Sequence, residues 1–396
     1  MLDIIGGSYI ENCIEPKYNK LFGSGLRAAA SLSNKGFDIR LHTCICDGYK
    51  QLLNLNGNTF NFEIDSLIIS KTIEFDYYHP LSHPIPIIAK DQEIIQIKNI
   101  KGNNILYYGM IEANAKFKGD YVVYDPQNHI SFKDTGSTAK HLALVLNKKE
   151  AQILSKIKSE NISEIGKKLL ISECADVIII KNGSQGAFVF ENDKETLIPV
   201  FETDIVWPIG TGDIFSAVFA WQWMIRKESP HDSAYKASQF TGQYCQSRHL
   251  PLRIDFPVLK ELKRPKLNKL IYLAGPFFSI EERWLINELR NILFEFGNNV
   301  FSPFHDVGLI ETENIISEAK AIAKADLDSL ILCDTVLAVV NGLDAGTLFE
   351  IGYAKSLGKK VVAFAQNVNS SDLTMLIGTD CEITSDFSTA VYKASW

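Results

Sequence analysis

The chain predicts a two-domain α/β protein with largely parallel sheets. Three observations carry this expectation. Apolar strand-like runs at 121–124, 142–146, 177–180 and 336–340 alternate with amphipathic helical segments. That is the pattern of strands covered on both faces by crossover helices. The alternation breaks at Lys263-Arg264-Pro265-Lys266-Leu267-Asn268, and a fresh strand at 269–274 follows directly. With 396 residues, the chain is also long enough for two cores. The expected division is 1–262, a linker at 263–268, and 269–396.

Taken in order, Met1-Leu2-Asp3-Ile4-Ile5-Gly6-Gly7 has no basic stretch before its short apolar run, so it is not expected to be a secretory leader. Gly23-Ser24-Gly25 opens a helix through Ala28-Ala29-Ala30-Ser31-Leu32. The strand at 121–124 ends in the turn Asp125-Pro126-Gln127-Asn128, and the strand at 142–146 leads into a helix from about Lys148. The strand at 177–180 meets Asn182-Gly183-Ser184-Gln185-Gly186, which predicts a turn with 187–190 as the hairpin partner. Trp284 and Phe294 recur at helical spacing and are expected in a core.

Composition narrows the function classes. Hydrophobic residues make up 46% and charged residues 22%, with a formal net charge of −7 and no long basic run. Nucleic acid and anionic membrane are therefore poor partners. The apolar segment 330–340 is interrupted by Asp334 and too short for a bilayer. Seven cysteines are scattered, and only Cys44 and Cys46 lie close together, with His42 nearby. Buried strand thiols in a reducing, cytoplasmic setting are the expectation.

The first domain carries Ile209-Gly210-Thr211-Gly212-Asp213-Ile214-Phe215-Ser216. Two glycines let backbone N–H groups converge at a helix start, where positive potential accumulates. A phosphoryl group would be stabilised there, and an adjacent carboxylate could accept a hydroxyl proton. The plainer alternative makes Asp213 a helix cap. With Gly23-Ser24-Gly25, Asn147-Lys148-Lys149-Glu150 and Lys181-Asn182-Gly183-Ser184-Gln185-Gly186, the motif resembles the PfkB (ribokinase-like) sugar and nucleoside kinases. The resemblance implies a ribokinase-like fold, Asp213 as catalytic base, and an anion hole from Gly210, Thr211 and Gly212. It also implies ATP with Mg2+, to which Asn147 and Glu150 would be linked indirectly. A capping box accounts equally for that Asn-x-x-Glu pair. Three positions depart from the family: Trp207 where an acid is usual, Arg27 near the usual asparagine, and Glu11 in place of aspartate. Phosphotransfer and ligand binding alone both stay open.

The second domain carries Ile271-Tyr272-Leu273-Ala274-Gly275-Pro276-Phe277-Phe278 and Asp344-Ala345-Gly346-Thr347-Leu348-Phe349-Glu350. Glycosyl transfer with retention needs a carboxylate nucleophile and an acid for the leaving group. Glu350 fits the first role, near a helix start whose dipole favours its ionised form. Thr347-Leu348-Phe349-Glu350 also reads as a capping box. Asp326 precedes Asp334 by eight residues, and Glu350 follows it by sixteen. These features resemble the nucleoside 2-deoxyribosyltransferase family, which implies a flavodoxin-like domain.

By that resemblance Glu350 is the nucleophile and Asp326 the proton donor to the base. Tyr272 would orient Glu350, and Asp344 would contact the base or the nucleophile. Gly275, Pro276, Ser279 and Met375 would shape the substrate pocket. The expected substrate is a small-molecule nucleoside or nucleotide, and no cofactor is implied for this domain. Family pockets are completed across subunits, which implies a homo-oligomer. The family's asparagine is missing from 371–377, so hydrolysis stands beside base exchange.

Overall fold

The computed structural model describes residues 1–90, 92–98, 100–192, 194–262, 268–308 and 315–396, without the side chains of 315–317. The chain separates into two compact units, Met1–Lys263 and Arg264–Trp396. Of the expected linker at 263–268, all but Asn268 lies outside the described residues.

In the first unit, β1 (Leu2–Ile5) leads to β2 (Ile10–Cys13), β3 (Tyr18–Leu21), α1 (Gly23–Leu32), β4 (Ile39–Ile45), α2 (Asp47–Phe60), β5 (Glu63–Ile68), β6 (Glu74–Tyr77) and β7 (Ile85–Ile87). Short strands β8 (Ile95–Ile97) and β10 (Ala113–Ala115) pair with each other on either side of β9 (Asn104–Tyr108) in sequence. Then come β11 (Lys118–Asp125), β12 (Thr138–Asn147), α3 (Lys148–Ser155), α4 (Ile162–Glu173), β13 (Val177–Lys181), β14 (Ala187–Glu191) and β15 (Lys194–Ile198). After β16 (Val200–Phe201) follow α5 (Thr211–Ala220), α6 (Pro230–Ser247) and β17 (Glu261–Leu262), which pairs with β16.

The main sheet has nine strands in the order β15-β14-β13-β12-β11-β9-β1-β4-β5. Every pairing from β13 to β5 is parallel. β13–β14 is the expected antiparallel hairpin, and β15 extends it. Successive side chains point to opposite faces. Ile4, Leu106, Val123, Val145 and Ile179 therefore pack with α1 and α5 residues such as Leu26 and Val218. Their neighbours Ile5, Tyr107, Tyr124, Leu144 and Ile178 pack with Ala151, Ile165 and Leu169 of α3 and α4. A second, four-stranded sheet runs β3-β2-β6-β7. Cys44 is buried in β4, and Cys46 is half-buried beyond it.

The second unit comprises β18 (Leu270–Ala274), α7 (Ile280–Glu295), β19 (Asn299–Phe301), α8 (Pro303–Asp306), α9 (Ile315–Leu332), β20 (Thr335–Val339), α10 (Ala345–Ser356), β21 (Lys360–Phe364), α11 (Thr374–Gly378), β22 (Glu382–Thr384) and α12 (Phe387–Ser395). Its five strands are parallel in the order β19-β18-β20-β21-β22. Counted by appearance this is 2-1-3-4-5, the flavodoxin-like order, with its switch point between β18 and β20. Ligand crevices form outside the carboxyl ends of the strands at that point. Asp334 closes the strand entry by accepting from the Leu270 N–H at 2.9 Å.

The core expectation for Trp284 and Phe294 is corrected: they are 47% and 42% exposed. The Arg290 guanidinium lies over the Phe294 ring, 4.8 Å from its centroid, so a cation rather than apolar packing covers it. Among the described residues no helix is long and apolar enough to cross a membrane.

One packing contact gives a direct test. A Cβ on Gly25 would lie 2.6 Å from the carbonyl of Gly6, and the Gly25 N–H donates to the Gly7 carbonyl at 3.0 Å. Helix α1 is thus seated on the loop after β1 with no room for a side chain. Gly25→Ala is expected to cost the first unit about 1–3 kcal/mol, the range for overpacking. Thermal unfolding of the full chain should show one transition, that of the first unit, lowered by several degrees, and an unchanged profile would contradict this close approach.

Candidate functional site

In the second unit the site grows from β18 and α10. Tyr272 is fully buried on β18, and its hydroxyl donates to Glu350 Oε1 at 2.6 Å. Glu350 is not part of a capping box. The N-cap of α10 is Asp344, which accepts from the Thr347 N–H at 2.7 Å and the Thr347 hydroxyl at 2.9 Å. The box expected at Thr347–Glu350 does not form, because the helix starts one turn earlier at Asp344, and Glu350 is left to Tyr272.

The electrostatics also differ from expectation. Burial pushes the Glu350 carboxyl up to about 7, with the charges of Asp326 and Asp344 adding, while the Tyr272 hydrogen bond opposes the rise. Desolvation outweighs the helix dipole at this carboxylate. Burial likewise raises Asp326 to about 6, and its Oδ1 has no hydrogen-bond partner among the described residues. Burial and then the Glu350 charge hold the Tyr272 phenol far above its ordinary range, so it stays a donor.

The surrounding loop is shaped by Gly275 and Pro276. A Cβ on Gly275 would lie 2.6 Å from Ile286 Cδ1 and 3.0 Å from Val339 Cβ, so the loop leaving β18 runs close beneath α7 and β20. Ser279 is the N-cap of α7 in a capping box with Glu282, which engages both in helix ends rather than leaving them loose at a ligand. Met375 is 74% exposed on α11. Asp344 acts first as a cap; its charge reaches Glu350 without a hydrogen bond between them.

In the first unit Asp213 is the third residue of α5, and the N-cap is Gly210, in left-handed conformation at φ 78°. The cap alternative for Asp213 is therefore overturned. Its carboxylate accepts from Arg27 Nη1 at 2.7 Å and from Gln127 Nε2 at 2.9 Å. Arg27 is 1% exposed and also pairs with Glu11, whose other oxygen accepts from the Gly23 N–H at 3.2 Å. Burial opposes the Arg27 charge, but Glu11 and Asp213 hold the guanidinium well above its usual range.

Of the expected anion hole, the Thr211 N–H and hydroxyl both donate to the Pro208 carbonyl, at 3.1 and 2.8 Å. A Cβ on Gly210 would fall 2.2 Å from the Arg27 guanidinium carbon. Asn147 and Glu150 form the full capping box of α3, and burial with the Asp125 charge lifts Glu150 to about 7. Among the described residues no group of three or more histidines, cysteines or acids is placed to hold a metal ion. Each of this pair already carries the other's capping bond, through Asn147 Oδ1 and Glu150 Oε2, so they do not fit direct ligation of Mg2+.

A cavity of about 410 Å³ joins these residues, lined by Tyr9, Tyr77, Arg27, Glu150 and Asp213 among others. Sequence reasoning missed the buried pair of Lys181 with Asp125, 2.9 Å apart beside the α5 N-terminus. It also missed Gln127, noted only as a turn residue. A lysine at the end of an apolar strand was the available signal for the first; nothing local marked the second.

The two units thus define a fused α/β protein: a ribokinase-like domain, then a Rossmann-type domain with paired carboxylates at its switch point. The family comparisons make this specific. Residues 90–249 match the pfkB family carbohydrate kinases, and residues 271–384 match the nucleoside 2-deoxyribosyltransferases. The chain joins a domain of each family. None of the curated proteins compared matches the chain.

Solved structures similar to the first unit include a pyrophosphate-dependent kinase in the ribokinase family, complexed with a pyrophosphate analog and myo-inositol. It shares 14% identity over 64% of this chain and 98% of that one, with a TM-score of 0.47. The nucleoside kinase of Methanocaldococcus jannaschii shares 15% over 63% and 95%, at 0.48. Ribokinase from Thermotoga maritima shares 16% over 64% and 96%, at 0.45.

The Tyr272–Glu350 bond yields a signed test. A hydrogen bond to a carboxylate favours its charged form. Charge-assisted bonds contribute about 1.5–3 kcal/mol, roughly one to two pH units. Tyr272→Phe should therefore move the Glu350 titration further above 7, as read by carboxyl-carbon NMR across pH. An unchanged or lowered midpoint would show that the bond does not hold the carboxylate.

Proposed function

We propose that the second unit cleaves or exchanges the N-glycosidic bond of a nucleoside or its 5′-monophosphate, with Glu350 as nucleophile. The observation that carries this reading is the Tyr272–Glu350 hydrogen bond at the β18–β20 switch point, made by a glutamate free of any capping role. Tyr272 occupies Oε1, which leaves Oε2 for C1′. As the C1′–O bond to Glu350 forms, the C1′–N bond breaks and its electron pair goes to the base. Asp326 supplies the proton to that base. A second base or water, deprotonated by Asp326, then attacks C1′ and releases Glu350. The Ser371–Ile377 stretch contains no asparagine, which keeps water as an acceptor beside a second base.

For the first unit one observation favours ligand binding over phosphotransfer. Both oxygens of Asp213 are engaged, one by a buried guanidinium, so a substrate hydroxyl would have to displace a partner to reach the carboxylate. On this reading the domain is a ligand sensor. The family-implied ATP would find Lys181 near the α5 N-terminus, where a Cβ on Gly212 would lie 3.4 Å from its ammonium.

Two outcomes are expected. With nucleosides and 5′-monophosphates, Glu350→Ala should lose at least about a thousandfold in base release or exchange, the scale for removing a covalent nucleophile. The productive form needs Glu350 ionised and Asp326 protonated. Activity should fall below pH 6 as Glu350 is protonated and above pH 7 as Asp326 loses its proton. A Glu350→Ala protein with full activity, or a rate rising steadily to pH 9, would sink the assignment. Separately, the full chain with ATP, Mg2+ and a panel of sugars and nucleosides should form no ADP above background. Acceptor-dependent ADP would restore phosphotransfer to the first unit.

A further inference from the structure

A second cavity of about 750 Å³ opens in the first unit, bounded by β3, α2 and the end of α6. Its chemistry is the reverse of the acid-lined cavity around Asp213. Tyr18, Tyr49, Trp207 and Tyr244 give it an aromatic lining, and Lys20 and Arg248 are its cations. None of its described lining residues is an aspartate or glutamate, although the chain carries a net charge of −7. Such a patch attracts anions against the field of the whole molecule.

The floor is also incompletely satisfied. Trp207 is 3% exposed, and its indole N–H has no acceptor among the described residues. The Arg248 guanidinium lies over the Trp207 ring, 4.8 Å from its centroid, and the Tyr18 ring packs tilted against it at 5.0 Å. Arg248 is exposed, at the left-handed C-cap of α6, so it covers the indole from the solvent side.

From the aromatic lining, the acid-free rim and its two cations, we infer that this groove binds a mononucleotide, a planar base carrying a phosphate. The base lies among Tyr18, Tyr49 and Trp207, and the phosphate takes Lys20 and Arg248. The far side of the floor reaches the other cavity: the Tyr244 hydroxyl accepts from Arg27 Nε at 3.2 Å, and Arg27 clamps Asp213. The inference is independent of the chemistry proposed for Glu350.

The test is photoaffinity labelling of the full chain with 8-azidoadenosine 5′-monophosphate, followed by peptide mapping, with Glu350→Ala run in parallel. Label is expected on peptides carrying Tyr18, Tyr49 or Trp207, equally in both proteins. Unlabelled AMP should compete about tenfold better than adenosine, and Arg248→Glu and Lys20→Glu should each lower the label about tenfold, the scale of one charge-assisted contact. Both residues are exposed, and circular dichroism checks that the variants fold. Label confined to the second unit or to the Tyr9–Tyr77 cavity would overturn the inference. So would groove label indifferent to both charge reversals, or an unlabelled groove whose charge reversal dissociates a dimer, which would assign it to a second copy of the chain.

Discussion

A guanidinium with almost no access to water must be surrounded by counter-charge, and the first unit is organised around that requirement at Arg27. Its partners come from distant parts of the chain: Glu11 from the small sheet, Asp213 from α5, and Tyr244 from α6. Removing one member of a buried set leaves the others uncompensated, at a cost of about 3–5 kcal/mol. The glycine turn before α5 follows from the same requirement, because the guanidinium fills the space a side chain on Gly210 would need. A motif shaped like a phosphate cradle here encloses a resident cation.

The second unit solves a related problem with a neutral donor. Glu350 also sits on a helix after a parallel strand, but its partner is a phenol. A phenol stabilises a carboxylate without fixing its charge, so the proton equilibrium of Glu350 stays within reach of neutral pH. Arg27 occupies one oxygen of Asp213 with a charged donor, whereas Tyr272 holds one oxygen of Glu350 with a neutral one. The contrast turns on the charge of one neighbour in each unit rather than on the carboxylates or the sheets that carry them.

Much of this was legible in the sequence where the signal was periodic or local. The alternation of apolar strands with helices gave both sheets, the turn at 182–186 gave the β13–β14 hairpin, and Asn147 with Glu150 spelled out the capping box that α3 has. Tyr272 and Glu350 stand 78 residues apart, and only the family resemblance paired them. The Thr347–Glu350 box failed because two cap residues, Asp344 and Thr347, compete to define one helix start, and spacing alone does not say which the backbone selects. Arg27 was visible as a departure, but its counter-charges depend on tertiary placement. Trp284 and Phe294 failed because helical spacing marks a face without saying that anything packs on it.

The two raised carboxyls of the second unit have a statistical consequence. The group meant to be charged, Glu350, binds its proton more tightly than the group meant to be protonated, Asp326. With the affinities in that order, the productive arrangement is held by only a minority of molecules at any pH. On the proposed roles, most of the population at any instant carries its protons on the wrong residues. The rate observed in bulk would then understate that of the competent minority in proportion to its share. A ligand that exchanged the two affinities would accelerate turnover by repopulating that minority, with no atom of the site displaced.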